Sequence, residues 1–128
     1  MNHSWKEDRV LFLKSEKALE EEFPEYLPKD WGLKRGIEAP IGWHQIIREM
    51  FHQLREKGFK PEFIQIKEKF GQLRIYSSNN SNESYQIIKN AGKKSKKTCQ
   101  TCGKPGSIRQ SYFWLGVYCE EHKPKEKN

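Results

Sequence analysis

Apolar residues recur at helical spacing most clearly within residues 41–57. There Trp43, Ile46, Ile47, Met50, Phe51 and Leu54 fall at offsets 0, 3, 4, 7, 8 and 11. That stripe predicts an amphipathic helix, with Gly58 as its C-cap. An earlier, acidic helix is expected over residues 5–23. No proline or glycine interrupts it, Pro24 ends it, and Trp5, Phe12, Leu19 and Phe23 lie near one stripe. Residues 24–40 are rich in proline and glycine, which break both regular periods, and read as a long connector that Trp31 and Leu33 pin to the core.

Downstream the period changes to two. The segment PEFIQIKEKFGQLRIYSS alternates apolar and polar residues on either side of a Phe70-Gly71 turn, and predicts an antiparallel hairpin with Ile64, Ile66, Leu73 and Ile75 toward the core. The polar run at 77–82 is a loop that offers Asn82 as the N-cap of a third helix, over 83–94, with Tyr85 and Ile88 inward. The expected fold class is α+β: three helices, a two-stranded antiparallel hairpin and a C-terminal zinc-ribbon-like module. Residues 1–97 would form the body, 98–123 the ribbon packed on it, and 124–128 a flexible tail.

The ribbon is read from the cysteines. Three cysteines cannot pair evenly as disulfides, and in a reducing compartment a metal site explains them better. The spacing C-x2-C-x16-C-x2-H sets Cys99, Cys102, Cys119 and His122 on two knuckles, each giving two ligands across a tight turn, with a hairpin over 107–118 between them. Gly103 lets the backbone wrap behind the first knuckle, and Pro105 and Gly106 close the turn. Four protein ligands leave no open coordination position, so the expected cofactor is one structural zinc ion.

Composition adds bounds. At 128 residues the chain can bury one real core, and sixteen aromatic residues argue against disorder. No apolar run approaches the roughly 20 residues of a membrane helix and no leader opens the chain, so the expected address is the cytoplasm, with no membrane partner. The net charge of +7 is uneven: residues 1–30 carry five basic and eight acidic side chains, 31–83 nine and six, and 84–128 ten and three. A positive C-terminal end suits a polyanion or an acidic partner.

Three surfaces could use that charge. On the 41–57 helix, His44, Arg48, His52 and Arg55 form a stripe expected to face away from the core. It lacks the H-E-x-x-H pattern of a metal helix. In the hairpin, outward parity falls to Gln65, Lys67, Lys69, Arg74 and Tyr76, a set that can meet nucleic acid by phosphate contacts and stacking. The third surface joins Lys89, Lys93, Lys94, Lys96 and Lys97 with Lys104, Arg109, Tyr112, Phe113 and Trp114; the plain alternative is helix capping and solubility. Of the adjacent Phe113 and Trp114, one would face inward. The chain has no G-x-S-x-G, no P-loop and no acidic metal cluster, so no enzyme is expected; the nearest rival is a zinc-supported endonuclease using His44 or His52.

The strings IKEKFGQLRIY, AGKKSKKTCQTCGKPG and LGVYCEEH together resemble a group of small proteins of bacteriophages and mobile elements, over about residues 41–122. The group carries a KEKFG-x-LR segment and closing CxxC…CxxH knuckles, and mostly lacks an assigned function. The resemblance implies a mobile-element setting and the closing zinc knuckles more than an activity; small non-enzymatic proteins of such elements often resemble anti-defence factors, so the leading expectation is an anti-CRISPR protein whose partner is a host RNA-guided nuclease or its guide RNA. The alternative is a DNA- or RNA-binding accessory or regulatory protein that meets nucleic acid directly.

Overall fold

In the computed structural model, residues 5–27, 37–112 and 114–124 are described, with Trp5 and Lys6 by backbone only. The central helix grows out of the stripe that predicts it. A single 3-10 turn, Ile41–Trp43, leads into α2, His44–Glu56, and all six stripe residues are buried. Gly58 ends the helix with φ +74°: its own amide donates to Arg55 O and the Phe59 amide to Leu54 O, the paired bonds of a glycine-closed helix end.

Helix α1, Trp5–Glu22, packs down on α2. Leu19, Phe23 and Tyr26 enter the core, where the rings of Phe23, Tyr26, Phe51 and Phe63 meet with centroids 5.2–6.4 Å apart. The Tyr26 hydroxyl donates to Phe59 O at 2.6 Å, which satisfies it inside that cluster. Phe12 is half-buried, and the expected anchors Trp31 and Leu33, like the Trp5 side chain, lie outside the described residues.

The predicted hairpin is present as β2, Glu62–Lys69, and β3, Gln72–Ser78, and a third strand joins it: β1, Ile37–Glu38, pairs parallel to β2 in the order β1-β2-β3. Its two residues are too few to show a period. The hairpin parity holds for Ile66, Leu73 and Ile75 but fails for Ile64, which is 57% exposed. A register shift between Phe63 and Gln65 explains this: the extra residue turns Ile64 outward and Phe63 into the core.

Helix α3, Asn82–Ser95, covers β3 and α2. Its cap is Ser81 and not Asn82; the Ser81 hydroxyl accepts from the Ser84 amide at 3.1 Å while Ser84 Oγ accepts from the Ser81 amide at 2.9 Å. The inward face is Ser84, Ile88, Ala91, Gly92 and Ser95, so Tyr85 is exposed, against expectation, because the small residues lie one position earlier in the turn. Their size lets the helix approach the sheet closely: a Cβ on Gly92 would stand 3.3 Å from Leu73 O, and Ser95 Oγ accepts from the Leu73 amide at 2.9 Å.

The last hairpin, β4 (Ser107–Gln110) and β5 (Leu115–Tyr118), pairs antiparallel and sits directly against the body. Val117 joins the main core, Trp43 Nε1 donates to Thr98 O at 2.9 Å, and the Gly42 amide donates to Gln100 O at 2.9 Å. Residues 125–128 of the expected tail, and Phe113, lie outside the described residues. Among the described residues no helix is long and apolar enough to cross a membrane.

Candidate metal centre and basic surfaces

The two knuckles are built by backbone bonds that aim the side chains at a common point. After α3, the Cys99 amide donates to Lys104 O at 2.7 Å and the Gly103 amide to Cys99 O at 2.9 Å, closing the first turn through Gly103 at φ +83°. A side chain there would be strained, and would also stand 3.1 Å from Gly42 O. The second turn is closed by His122 N to Cys119 O at 3.2 Å. Between them Gln100 ties the halves together, its amide donating to Val117 O and its side-chain oxygen accepting from the Val117 amide, both at 2.9 Å.

The result is one cluster. The ligand atoms of Cys99, Cys102, Cys119 and His122 all lie within 4.8 Å of one another, so the four can hold a metal ion. Cys102 Sγ and Cys119 Sγ are 3.7 Å apart, against about 3.8 Å for the edge of a tetrahedron with metal–sulfur bonds of ~2.3 Å. His122 offers Nδ1, at 3.2 Å from Cys119 Sγ and 3.9 Å from Cys99 Sγ, on either side of the ~3.5 Å of a sulfur–nitrogen edge. The donor set and its geometry fit a zinc module.

The electrostatics favour a cation. Burial pushes the Cys99 thiol up, but the amides of Cys119, Cys102 and Thr101, with the Cys102 side chain, outweigh it and bring it down to about 6. Cys102 is pushed up, first by burial and then by its sulfur neighbours, although the Lys104 amide works the other way. One thiolate thus forms readily while crowding opposes the next, and a central cation removes that repulsion.

The basic stripe on α2 is not a free face. His44 is 3% exposed, with Nε2 donating to Ala39 O at 3.0 Å and Nδ1 2.6 Å from Ser15 Oγ, and its ring meets Phe12 at 5.1 Å. Arg48 pairs with Glu22; Arg55 pairs with Glu25 at 2.7 Å and lies 4.3 Å over the Phe23 ring. His52 is exposed and stands 3.8 Å from Glu56. The packing of α1 and of residues 23–27 over this side of α2 makes His44, Arg48 and Arg55 parts of a seam and leaves His52 in solvent. A histidine needed for an endonuclease is, at position 44, engaged in holding that seam.

Two basic surfaces remain, on opposite sides of the sheet. On α3 and the turn that follows it, Lys89, Lys93 and Lys97 recur every fourth residue facing solvent, with Lys96 beside them; Lys94 turns toward α2 and Glu49 at 3.9 Å. Lys104 lies close by in the first knuckle turn. Of the aromatic residues expected with these lysines, the two that are described stand elsewhere: Tyr112 is 94% exposed at the far turn of the β4–β5 hairpin, and Trp114 is half-buried edge-on against Tyr118. Arg109 is engaged with Tyr118 O at 3.1 Å and Glu120 at 3.0 Å. The structure therefore splits the third surface into a lysine ridge and an aromatic tip.

The outer sheet face keeps its members together. Lys67 and Arg74 are cross-strand partners, and Tyr76 lies opposite Gln65 and Lys69 opposite Gln72. Lys67 Nζ lies 5.9 Å from the Tyr76 ring and Lys69 Nζ 5.6 Å from the Phe70 ring. Phe70 belongs to this surface although the sequence reads as a plain turn there; its signal is a bulky residue where a two-residue hairpin loop calls for positive φ. The chain matches no family model, no curated protein and no solved structure.

Proposed function

We propose that this is a non-enzymatic protein of a mobile genetic element that acts in the cytoplasm of a bacterial host by binding an RNA–protein defence complex. Its target is an RNA-guided nuclease, which it inhibits. One zinc ion, held by Cys99, Cys102, Cys119 and His122, serves as a structural support, since three thiolates and an imidazole fill a tetrahedron and leave no position for a substrate. The observation that carries the binding role is the set of exposed large side chains on the sheet and on the ribbon, Ile64, Phe70, Tyr76, Ile108 and Tyr112, of which Tyr76 and Phe70 lie beside cations. Large apolar groups left in water near Lys67 and Lys69 suit a partner that supplies both a surface to stack on and negative charge.

The test is capture from host lysate with and without ribonuclease. Recovery of an RNA-guided nuclease, with loss of its cleavage activity on addition of the purified protein, supports the reading; recovery of nucleic acid alone refutes it. That second outcome fits the accessory nucleic-acid-binding protein, which the ridge of Lys89, Lys93 and Lys97 favours. Its mark is a uniform loss of affinity with salt and on charge reversal at Lys93 and Lys97.

A further inference from the structure

We infer that the outer face of the β2–β3 hairpin is a track for a single-stranded nucleic acid, RNA in the first instance, with Tyr76 and Phe70 as base platforms at its ends. The inference rests on the binding role proposed above and names the ligand of one face.

Order along the track comes from the pairing. Tyr76 with Gln65 forms one row, Arg74 with Lys67 the next, Lys69 with Gln72 the third, and Phe70 stands at the tip beyond. At ~3.4 Å per residue, the first and third rows are roughly 14 Å apart. Two flat rings are thus separated by three cations, the alternation of stacking surface and charge that a strand of bases and phosphates presents. A protein anchor would instead gather its aromatics into one enclosed spot.

Each ring is already in contact with a cation near the ~6 Å limit of such attraction, Lys67 over Tyr76 and Lys69 over Phe70. These contacts are weak enough to exchange. An arriving base takes the ring face, and the displaced ammonium moves to the flanking phosphate. Arg74 Nε, among the described residues, is the one buried side-chain polar atom with no hydrogen-bond partner, so its guanidinium gains a bond by turning to an acceptor. The face has acidic limits: Glu38 on β1 lies beside Lys67, and Glu62 lies opposite Ser78 beyond Tyr76. They repel phosphate at the β1 edge and at the far end, and leave the β3 side and the tip open.

Phe70 supplies the independent observation. It holds φ +53° and is 66% exposed as a residue, in a loop position where glycine or asparagine would sit without strain. Neither a turn nor a core requires an aromatic ring there. The tip is braced by the ribbon, since a Cβ on Gly71 would stand 3.3 Å from Ile108 Cδ1, and Glu68 Oε2 accepts from the Gly71 amide at 2.9 Å. A strained, braced and exposed ring is one kept for a ligand.

The experiment is fluorescence anisotropy of the full chain with a labelled oligouridylate of about 12 nucleotides, its deoxythymidylate counterpart and an RNA duplex of the same length. The single strands are expected to bind more tightly than the duplex, with a log-log salt slope of about −2 for three phosphate contacts. Phe70→Asn and Tyr76→Thr are each expected to weaken binding by about 5- to 150-fold. Phe70→Asn should at the same time raise the melting temperature, which a structural role for the ring would lower. Oligouridylate affinity unchanged in both variants, or equal affinity for the duplex, overturns the assignment. If Tyr76→Thr and Phe70→Asn bind oligouridylate as wild type does, yet all capture a nuclease after ribonuclease, the track is wrong and the inhibitor reading stands. If oligouridylate binding depends on both rings but no RNA–protein complex is ever recovered, the track stands and the inhibitor reading falls.

Discussion

Consider stripping the metal from the full chain with a strong chelator. Zinc in small finger peptides contributes ~10–16 kcal/mol, as much as or more than the ~5–15 kcal/mol that holds a whole domain, so the knuckles themselves should come apart. The structure sets how far the damage spreads. Val117 is fully enclosed in the main core, and its withdrawal costs ~1.5–3 kcal/mol. The bonds from Trp43 Nε1 to Thr98 O and from Gly42 N to Gln100 O are worth ~1 kcal/mol each. The body is therefore expected to lose roughly 3–5 kcal/mol, which for a chain of this size lowers the melting midpoint by roughly 10–20 °C. Tryptophan fluorescence through a thermal melt reads the midpoint, and hydrogen exchange at the Gly42 amide and the Trp43 indole reads the local opening. About one equivalent of zinc should restore both. A chelated protein with an unchanged midpoint and full protection at Gly42 and Trp43 refutes the reasoning, because the ribbon would then be held by something other than its metal.

Other perturbations test separate parts of the argument. Burial lowers the His44 pKa below its ordinary 6.5, with Arg48 helping and the Ala39 carbonyl opposing. Its stabilising contribution is thus complete above the unfolded value and is lost as pH falls through 6.5 toward the folded one; His44→Gln should flatten the melting midpoint between about pH 7 and pH 5 relative to wild type. Gly42→Ala places a Cβ 2.3 Å from Cys99 O, a backbone atom that cannot step aside, and should cost ~1–3 kcal/mol and loosen metal retention, measured by metal content after dialysis. Ser81→Ala removes the α3 cap and should cost ~1 kcal/mol in denaturant unfolding, whereas Asn82→Ala should be nearly neutral.

The parts of this fold that sequence foretells are those written in long periods or fixed spacings. Six apolar residues on α2 identify both the helix and its buried face, and C-x2-C-x16-C-x2-H identifies the four residues that the fold gathers within 4.8 Å. What stays hidden depends on a single residue's offset. The shift between Phe63 and Gln65 exchanges the roles of Phe63 and Ile64, because a period of two reverses with every inserted residue. His44 looks like the start of a solvent-facing stripe because nothing local announces that α1 will lie across it. The choice of Ser81 over Asn82 as cap is a contest between neighbouring polar residues, decided by whether Ser84 can answer. Phe70 was visible as a turn, but its value lies in the mismatch between residue and turn, which shows only once φ is known.

The bond from Trp43 to Thr98 spans 55 residues, and the chain between them makes α2, the β2–β3 hairpin and α3. During synthesis, therefore, the indole must wait for its acceptor until all of those elements have emerged, while each of them can find its neighbours over much shorter separations. Local pairings form first and long closures follow, since closing a long loop costs entropy that only later contacts repay. The four candidate ligands lie within 24 consecutive positions, so the knuckles can close on a metal ion by a short closure of their own, and the Trp43–Thr98 bond then seats them on the body.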